Sequence, residues 1–234
     1  MLVSTVNNEY KYHIAAVELT LIYNVRYSRA VSLASVINAA MDEFEISKTS
    51  ARRNMFLAQI SHESRFNSKA ENLNYKAEQL VKTWPKRFRS IEHATLFARN
   101  PEKIANFVYG DRMKNKGEGF KFRGRGGIQI TGRKNYLDLS KDLKLGTRLI
   151  DNPDLLLDDS LAWRASAWFW KKNGLNEVVD TDPSPMEKVT KKINGGLTGF
   201  DDRVRQHQRI IEYLPDNGGD LLKDFISPGG FRIS

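Results

Sequence analysis

The chain has 234 residues, of which 40% are hydrophobic, and it carries a net charge of +9. A chain of this length can bury a hydrophobic core, either as one large domain or as two small ones. It contains no cysteine, which excludes disulfide bonds and thiolate metal sites. The charge surplus favours an acidic partner, which can be nucleic acid, an anionic membrane surface or an anionic cell-wall polymer.

The N-terminal segment does not have the pattern of a secretory signal peptide, because it lacks a basic start followed by a continuous apolar stretch. Within it, Ile14, Val17, Leu21 and Val25 are spaced three, four and four residues apart, which predicts one apolar face of a helix. Because Glu18 interrupts this stretch and few basic residues flank it, we expect the helix to dock on the rest of the protein rather than on a membrane.

Most of the remaining segments predict helices, from their apolar spacing and from their end signals. Ser50 and Ser90 are candidate caps, Pro101 suits the first turn of a helix, and Gly174 is a stop signal. The predicted helices cover residues 29–46, 50–64, 91–99, 101–109, 158–174, 184–195 and 199–215. In the first of them, the predicted buried face comprises Val31, Ala34, Val36, Ala39, Ala40 and Phe44.

Residues 110–132 interrupt this helical pattern with a stretch that is rich in glycine and charge. The short pieces "FKFRG" and "GIQIT" alternate in polarity, which predicts a small β-hairpin within a long loop. No Gly/Ser-rich or Pro-rich linker divides the chain. We therefore predict a single domain, with an N-terminal segment (1–30), a main region (31–214) and a C-terminal tail (215–234).

Two glutamates, Glu63 and Glu71, stand in contrasting surroundings. Phe56, Ile60 and Glu63 share one helical face, so Glu63 should continue the core face where the helix ends. Burial disfavours a charged carboxylate, and a carboxyl that stays protonated can act as a general acid. Glu71 follows Lys69 in a polar stretch and should stay ionised, as a general base must. Such a pair is typical of glycoside hydrolysis, although most glutamates are solvated or form surface ion pairs.

Six pieces of the chain occur in the order found in glycoside hydrolase family 19. They are "NAAMDEFEI", "FLAQISHES", "ENLNY", "FARNPEKIANFVYGDRM", "FRGRGGIQITGRKNY" and "KKINGGLTGFDDRVRQ". Through this ordered set the chain resembles the chitinase and lysozyme group of that family, and within it the phage-type endolysins. The resemblance implies a mainly α-helical, two-lobed lysozyme-like fold with a small β-hairpin element and a substrate cleft. It also implies inverting hydrolysis of a β-1,4 linkage next to an N-acetylhexosamine.

The resemblance assigns roles residue by residue. Glu63 of "HES" matches the general acid, Glu71 of "ENLNY" matches the carboxylate that activates water, and Thr131 of "IQITG" matches the hydroxyl residue that helps to hold that water. Four further residues are expected to bind substrate in the sugar cleft: Tyr75, Gln129, Asn135 and Asn194. One feature departs from the pattern, because related endolysins usually have two small residues, often Gly-Gly, before the aromatic residue that follows "HES". Here the stretch is "HESRF".

Other candidate residues have two possible roles each. Arg203 and Arg205 could reach a cleft carboxylate or remain surface charges, and Glu118 could line the cleft or be a loop charge. The tryptophans 163, 168 and 170 are expected mostly in the core, although an exposed one could stack on a sugar. His62 is expected to form a structural hydrogen bond. The scattered histidines give no zinc ligand set, so we expect neither a metal nor a cofactor.

The resulting hypothesis is a monomeric phage-type endolysin that degrades peptidoglycan and lyses the host cell. We expect it to be made in the host cytoplasm without a signal peptide, and to act on the cell wall in the periplasm after the membrane is permeabilised. The basic charge favours glycan strands in an anionic bacterial envelope over neutral chitin. Two alternatives stay open: a chitinase of the same family, and a non-catalytic basic protein that binds cell wall or nucleic acid. No nucleic-acid motif is recognisable, so we expect no nucleic-acid partner.

Overall fold

The computed structural model describes residues 12–112 and 114–214. These residues form twelve α-helices, and their only β structure consists of isolated bridges. The helices are α1 (Ala16–Tyr23), α2 (Tyr27–Glu43), α3 (Ser50–Ser64), α4 (Ala77–Thr83), α5 (Ile91–Thr95), α6 (Pro101–Tyr109), α7 (Arg133–Asp142), α8 (Arg148–Asp151), α9 (Asp159–Lys172), α10 (Leu175–Thr181), α11 (Pro185–Asn194) and α12 (Phe200–Tyr213). Short 3₁₀ helices lie at Ile46–Lys48 and Pro153–Leu157. The mainly α-helical fold is therefore confirmed. No described helix has both the length and the apolar character that a membrane span requires.

The chain divides into two compact units. Unit 1 comprises residues 1–66 and 169–234, and unit 2 comprises residues 67–168. The long loop and helices α4 to α8 therefore belong to unit 2, whereas α1 to α3 and α10 to α12 belong to unit 1. The second boundary falls inside α9. The predicted division into residues 1–30, 31–214 and 215–234 does not coincide with these units and stays a prediction.

Helix α3 is the central element of unit 1. The side chain of Thr49, rather than that of Ser50, caps it by accepting a hydrogen bond from the backbone amide of Arg52. Every residue from 53 to 61 is buried, because α3 packs against α10 and α12 and the 3₁₀ helix that precedes it. On the predicted face, Phe56 and Ile60 are fully buried. Glu63 follows one turn later, half-buried, just before the helix ends.

The N-terminal helix α1 packs against α2 and α12, as expected for a docked helix, but it uses a different face from the predicted one. Ile14, Leu19 and Ile22 are buried, whereas Leu21 is 41% exposed. The predicted spacing assumed one continuous helix from Ile14 to Val25. Ile14 precedes α1 and Val25 follows its end, so the helical period does not extend to either residue. Residues 1–11 of this segment lie outside the described part of the chain.

In helix α2 the buried face is also displaced from the predicted one. The buried residues are Ala30, Leu33, Ala34, Ile37, Ala40 and Met41, so only two predicted residues, Ala34 and Ala40, are among them. Val31 is 50% exposed. The reason is that alanine is small enough for either side of a helix, so the larger residues Leu33 and Ile37 decide which face is buried.

Unit 2 has a hydrophobic core between α4, α5 and α6. Its buried members are Leu73, Ala77, Leu80, Phe88, Ala94, Ile104, Ala105 and Val108. Half-buried aromatic residues, including Tyr75, Trp84 and Tyr109, pack against this core. The side chain of Ser90 caps α5, as the sequence predicted, and the side chain of Asn100 caps α6. The aromatic edge matters for function because it adjoins Glu71.

The long loop of residues 110–132 is held from inside by two buried polar side chains. Asn115 accepts a hydrogen bond from the backbone amide of Arg133 (2.6 Å) and donates one to the carbonyl of Tyr109 (2.9 Å). Arg125 donates to the carboxylate of Asp154 and to the hydroxyl of Tyr136. Such side-chain partners replace the regular backbone bonds that a loop lacks.

The β element in this loop is smaller than the predicted hairpin. Arg125 forms one antiparallel bridge with Ile130 and another with Ala70. Between the bridged residues, Gly126 and Gln129 both have positive φ, which turns the chain at once and leaves no room for paired strands.

The three tryptophans of α9 are buried: Trp163 and Trp170 are 0% exposed and Trp168 is 5% exposed. None of them is therefore available to stack on a sugar. Trp163 sets the path of the loop, because its ring lies against Gly127. A Cβ atom on Gly127 would lie 2.5 Å from Trp163 Cζ3 and 2.8 Å from Ser166 Oγ.

We predict that Gly127→Ala destabilises the protein through this overlap. Forcing extra volume into a packed core costs about 1–3 kcal/mol, which lowers Tm by several degrees in a protein of this size. The matched control is Gly196→Ala, because a Cβ atom there would meet nothing within 4 Å. Thermal unfolding followed by circular dichroism measures both variants. Equal Tm values for the two variants would show that the loop does not depend on this contact.

Candidate active site

Glu63 is held by a buried arginine of α12. Arg203 is 1% exposed, and its guanidinium donates to Glu63 Oε1 through Nη2 and to Gln59 Oε1 through Nη1. Gln59 lies one turn before Glu63 on α3, and its Nε2 donates to Thr190 Oγ1 at 3.3 Å. The surroundings of Glu63 therefore differ from the apolar pocket that the sequence predicted, because a buried guanidinium contacts its carboxyl group. Arg203 occupies Oε1, so Oε2 is the oxygen free to carry a proton.

The two arginines that the sequence could not separate have different roles. Arg203 is the buried partner of Glu63, whereas Arg205 is exposed and donates to Asp202 Oδ1 at 3.2 Å. His62 forms the predicted structural hydrogen bond, because its Nδ1 lies 2.7 Å from Asp202 Oδ2. This hydrogen bond holds the pKa of Asp202 below its usual range. It also joins the end of α3, where Glu63 lies, to the first turn of α12.

The turn that follows Glu63 contains two non-glycine residues in the left-handed region. Arg65 has φ 49° and Phe66 has φ 57°. Arg65 alone stands where related endolysins usually have two small residues before the aromatic residue, and the left-handed conformation costs about 1–2 kcal/mol per residue. Phe66 is 2% exposed and packs on Tyr23, with 4.6 Å between ring centroids. The burial of Phe66 therefore offsets part of the backbone cost.

Glu71 is held in unit 2 by hydrogen bonds to both carboxylate oxygens. Oε1 accepts from the hydroxyl of Tyr109 at 2.8 Å, and Oε2 accepts from the backbone amide of Gly124 at 3.4 Å. The backbone amide of Glu71 donates to the Gly124 carbonyl at 2.8 Å. Burial, and then the charge of Glu71, raise the pKa of Tyr109 well above its usual range. Tyr109 therefore keeps its proton and remains a donor near neutral pH.

The hydroxyl of Thr131 lies beside the same glycine. It donates to the carbonyl of Gln129 at 2.9 Å, which leaves its oxygen free to accept a hydrogen bond. A Cβ atom on Gly124 would lie 3.1 Å from Thr131 Oγ1 and 2.7 Å from Gln129 Oε1. Glu71, Thr131 and Gln129 thus converge on a residue that has no side chain. A water molecule here could donate one hydrogen to Thr131 and the other to Glu71.

The remaining predicted binding residues divide between the two units. The half-buried ring of Tyr75 packs edge to face on Trp84, and burial followed by the charge of Glu71 raises the pKa of Tyr75. The amide of Asn135 donates to the Thr131 carbonyl at 2.7 Å, and Asn194 points its amide to the Thr198 carbonyl at 3.5 Å. Unit 2 therefore gathers Glu71, Tyr75, Gln129, Thr131 and Asn135, whereas Glu63 and Asn194 lie in unit 1.

Three contributors were missed by sequence reasoning: Gln59, Tyr109 and Gly124. Tyr109 lies 38 residues after Glu71, so no local spacing connects the two. Glu118, which was left open, is an exposed loop residue that pairs with Lys121 at 3.3 Å. Within the described ranges, no group of three or more His, Asp or Glu side chains could hold a metal ion.

We predict that Tyr109→Phe lowers kcat on a β-1,4 glycan about tenfold to a hundredfold and leaves KM nearly unchanged. The reason is that the variant removes one hydrogen bond to a charged group, worth about 1.5–3 kcal/mol, while the ring stays. Steady-state kinetics measure the effect. Tyr27→Phe is the control, because Tyr27 is 59% exposed and belongs to unit 1. An unchanged kcat in Tyr109→Phe would remove Tyr109 from the site.

We also predict that Arg203→Lys lowers kcat by at least tenfold, whereas Arg205→Lys leaves it unchanged. A lysine keeps the charge, but it cannot contact Glu63 and Gln59 at once in the planar geometry of a guanidinium. The two variants make the same chemical change at positions two residues apart on α12. A parallel measurement of Tm shows whether a loss of activity reflects a loss of fold. Equal kinetics for the two variants would contradict a role for Arg203 in holding Glu63.

Comparison with known proteins places these features in a family. The sequence model of glycoside hydrolase family 19, described as "Chitinase class I", matches residues 88–202, a range that includes Thr131 and Gln129 but neither glutamate. A "Glycosyl hydrolase family 19 domain-containing protein" of Haemophilus influenzae is 40% identical over 162 residues, which are 67% of this chain and 77% of that protein.

Plant enzymes are more distant relatives. "Acidic endochitinase pcht28" of Solanum chilense is 32% identical over 127 residues, which are 44% of this chain and 50% of that protein. "Endochitinase 1" of Solanum tuberosum is 32% identical over 129 residues, which are 44% of this chain and 40% of that protein. The chain thus spans half or less of these plant relatives but more than three quarters of the bacterial one. The helical fold, the ordered sequence pieces and the extent of the bacterial match lead to one assignment: the chain belongs to glycoside hydrolase family 19 and is a glycoside hydrolase.

Proposed function

We propose that this protein is a peptidoglycan-degrading endolysin that hydrolyses the β-1,4 bonds of the cell-wall glycan and so causes host lysis. The observation that supports peptidoglycan as the substrate is the distribution of charge. Residues 67–168 contain 20 lysines and arginines against 12 aspartates and glutamates, so unit 2 carries a net +8 of the chain's +9. The unit that holds Glu71 is therefore the basic one. A basic binding unit suits an anionic glycan better than an uncharged one.

In the proposed mechanism the two carboxyl groups have different roles. Glu63 donates a proton from Oε2 to the glycosidic oxygen, so the leaving sugar departs as an alcohol. Glu71 accepts a proton from the attacking water as the water oxygen bonds to the anomeric carbon. The free lone pairs of Thr131 Oγ1 support a role in orienting that water. A direct displacement of this kind converts a β linkage into an α product, which defines an inverting enzyme.

The contacts of the two glutamates support this division of roles. Arg203 and Gln59 fix Glu63 from the buried side, and Tyr109 and Gly124 fix Glu71 at both oxygens. Catalytic groups held in this way lose little orientational freedom when substrate binds, which lowers the barrier. The same mechanism serves a chitinase, and that alternative is favoured by the plant relatives, which are named endochitinases.

The experiment that tests the proposal is digestion of purified peptidoglycan, with chito-oligosaccharides as the competing substrate. We expect wild-type protein to release fragments whose first-formed reducing ends are α anomers, detected by NMR within the first minutes. Mass spectrometry of the new reducing-end sugar identifies which of the two alternating bonds is cut. Rapid cleavage of chito-oligosaccharides beside intact peptidoglycan would favour the chitinase. A β anomer would exclude the inverting mechanism.

We predict that Glu63→Gln lowers the rate of this digestion about 10²–10⁴-fold, the usual contribution of a general acid. Glutamine is the informative substitution because its amide oxygen can still accept from Arg203, which keeps the buried guanidinium paired. Glu118→Gln is the matched control, because Glu118 is exposed and pairs with Lys121 within the loop. Near wild-type digestion by a folded Glu63→Gln protein would overturn the role of Glu63.

A further inference from the structure

The segment of residues 82–89 of unit 2, "KTWPKRFR", is an exposed basic segment. Its four cationic residues are Lys82, Lys86, Arg87 and Arg89, of which Arg87 is half-buried and the other three are exposed. No described residue forms a side-chain hydrogen bond or an ion pair with any of the four. Other lysines of the protein are neutralised locally: Lys134 pairs with Asp138 and Lys48 with Glu45. The basic segment thus concentrates four positive charges that no ion pair among the described residues neutralises, although Glu78 and Glu92 flank it in the sequence.

The basic segment is anchored beside the residues that hold Glu71. Trp84 lies at its centre, and its ring packs on Tyr75 (5.2 Å between centroids) and on Tyr109 (6.3 Å). The carbonyl of Trp84 accepts hydrogen bonds from the amides of Arg87 and Phe88, both at 2.9 Å, which fixes the turn after it. Tyr109 donates to Glu71, so the ring of Trp84 connects the basic segment directly to a residue that holds the candidate base.

We propose that residues 82–89 bind the carboxylates of the peptide stems that peptidoglycan glycan carries, and thereby select this glycan over uncharged β-1,4 glycans. This inference rests on the proposed function and adds the residues that discriminate between its two candidate substrates. A peptide stem is attached to the sugar strand itself. A strand that reaches Glu71 would therefore bring stem carboxylates to a cationic surface next to the same aromatic residues.

A carboxylate on the strand fits this surface better than a separate phosphate polymer for a geometric reason. A free polymer could bind any basic part of the protein, but a substituent of the substrate must lie close to the bond that is cut. Lysine and arginine at a solvent-exposed rim contribute modestly and additively, and their effect falls as salt rises. We therefore expect a specificity effect on kcat/KM and no effect on the chemical step.

The test compares two variants with equal net charge. Lys82→Gln, Lys86→Gln and Arg89→Gln together remove three exposed charges of the basic segment. Lys141→Gln, Lys144→Gln and Arg148→Gln together remove three exposed charges elsewhere in unit 2 and serve as the control. Three substrates are used: glycan strands with their peptide stems, the same strands after an amidase has removed the stems, and a chito-oligosaccharide.

We expect the first variant to lose about tenfold in kcat/KM on the strands that carry peptides, from three rim contacts. We expect no more than a twofold change on the other two substrates, and no more than that on any substrate for the control. The difference between the variants should shrink at about 1 M salt, where the Debye length is about 3 Å. An equal loss on strands with and without stems, or an equal loss in the control, would overturn the inference.

The outcome for wild-type protein separates this inference from the proposed function. Suppose that wild-type protein cuts both kinds of strand and that the first variant has the same relative kcat/KM on both. The basic segment then does not bind the stems, while the proposed function stands. If wild-type protein cuts only the chito-oligosaccharide, the proposed function fails and the inference fails with it. Binding of a soluble polyphosphate is measured as well. If the first variant loses this binding and nothing else, the partner of the segment is a phosphate polymer and the inference is overturned.

Discussion

The contact between Arg203 and Glu63 is the interaction on which unit 1 depends. A guanidinium with 1% exposure cannot remain in a protein interior without acceptors, because an unpaired buried charge costs several kcal/mol. Its acceptors, Glu63 and Gln59, lie one turn apart on α3. The contact therefore fixes the rotation of α3 against α12, and so the direction in which the carboxyl group of Glu63 points. The feature that holds the fold together here is the same one that orients the candidate general acid.

In unit 2, neutral donors rather than a buried guanidinium hold the candidate general base. Glu71 lies in irregular structure rather than on a helix, so its position depends on groups far away in the sequence. Tyr109 donates from the end of α6, and Gly124 donates from the long loop. Asn115 connects these groups, because it binds the Tyr109 carbonyl and the first amide of α7, two residues after Thr131. A loop without regular hydrogen bonds can therefore hold catalytic candidates as firmly as a helix does.

The contrast between the units extends to charge. Both units contain ion pairs, such as Lys171 with Glu45 in unit 1 and Lys134 with Asp138 in unit 2, but unit 2 carries nearly all of the net positive charge. Ion pairs tie helices together, and unpaired cations attract an anionic partner. This division agrees with the roles proposed for Glu63 in unit 1 and for unit 2 in binding an anionic glycan. Composition alone favoured an acidic partner, but it could not tell which part of the chain carries the surplus charge.

The sequence by itself determined the helical fold, the ends of several helices and the family, because apolar spacing, a cap such as Ser90 and ordered motifs are local signals. It gave no bounds for α4, α7, α8 and α10. It also singled out Glu63, Glu71 and Thr131. Only the tertiary structure decided what surrounds them. The roles of Arg203, Gln59 and Tyr109 arise from contacts across 38 to 144 residues, and no local period encodes such contacts. The same limit explains the wrong faces of α1 and α2: burial is set by what packs against a helix, and small or mixed residues leave that choice to the neighbours.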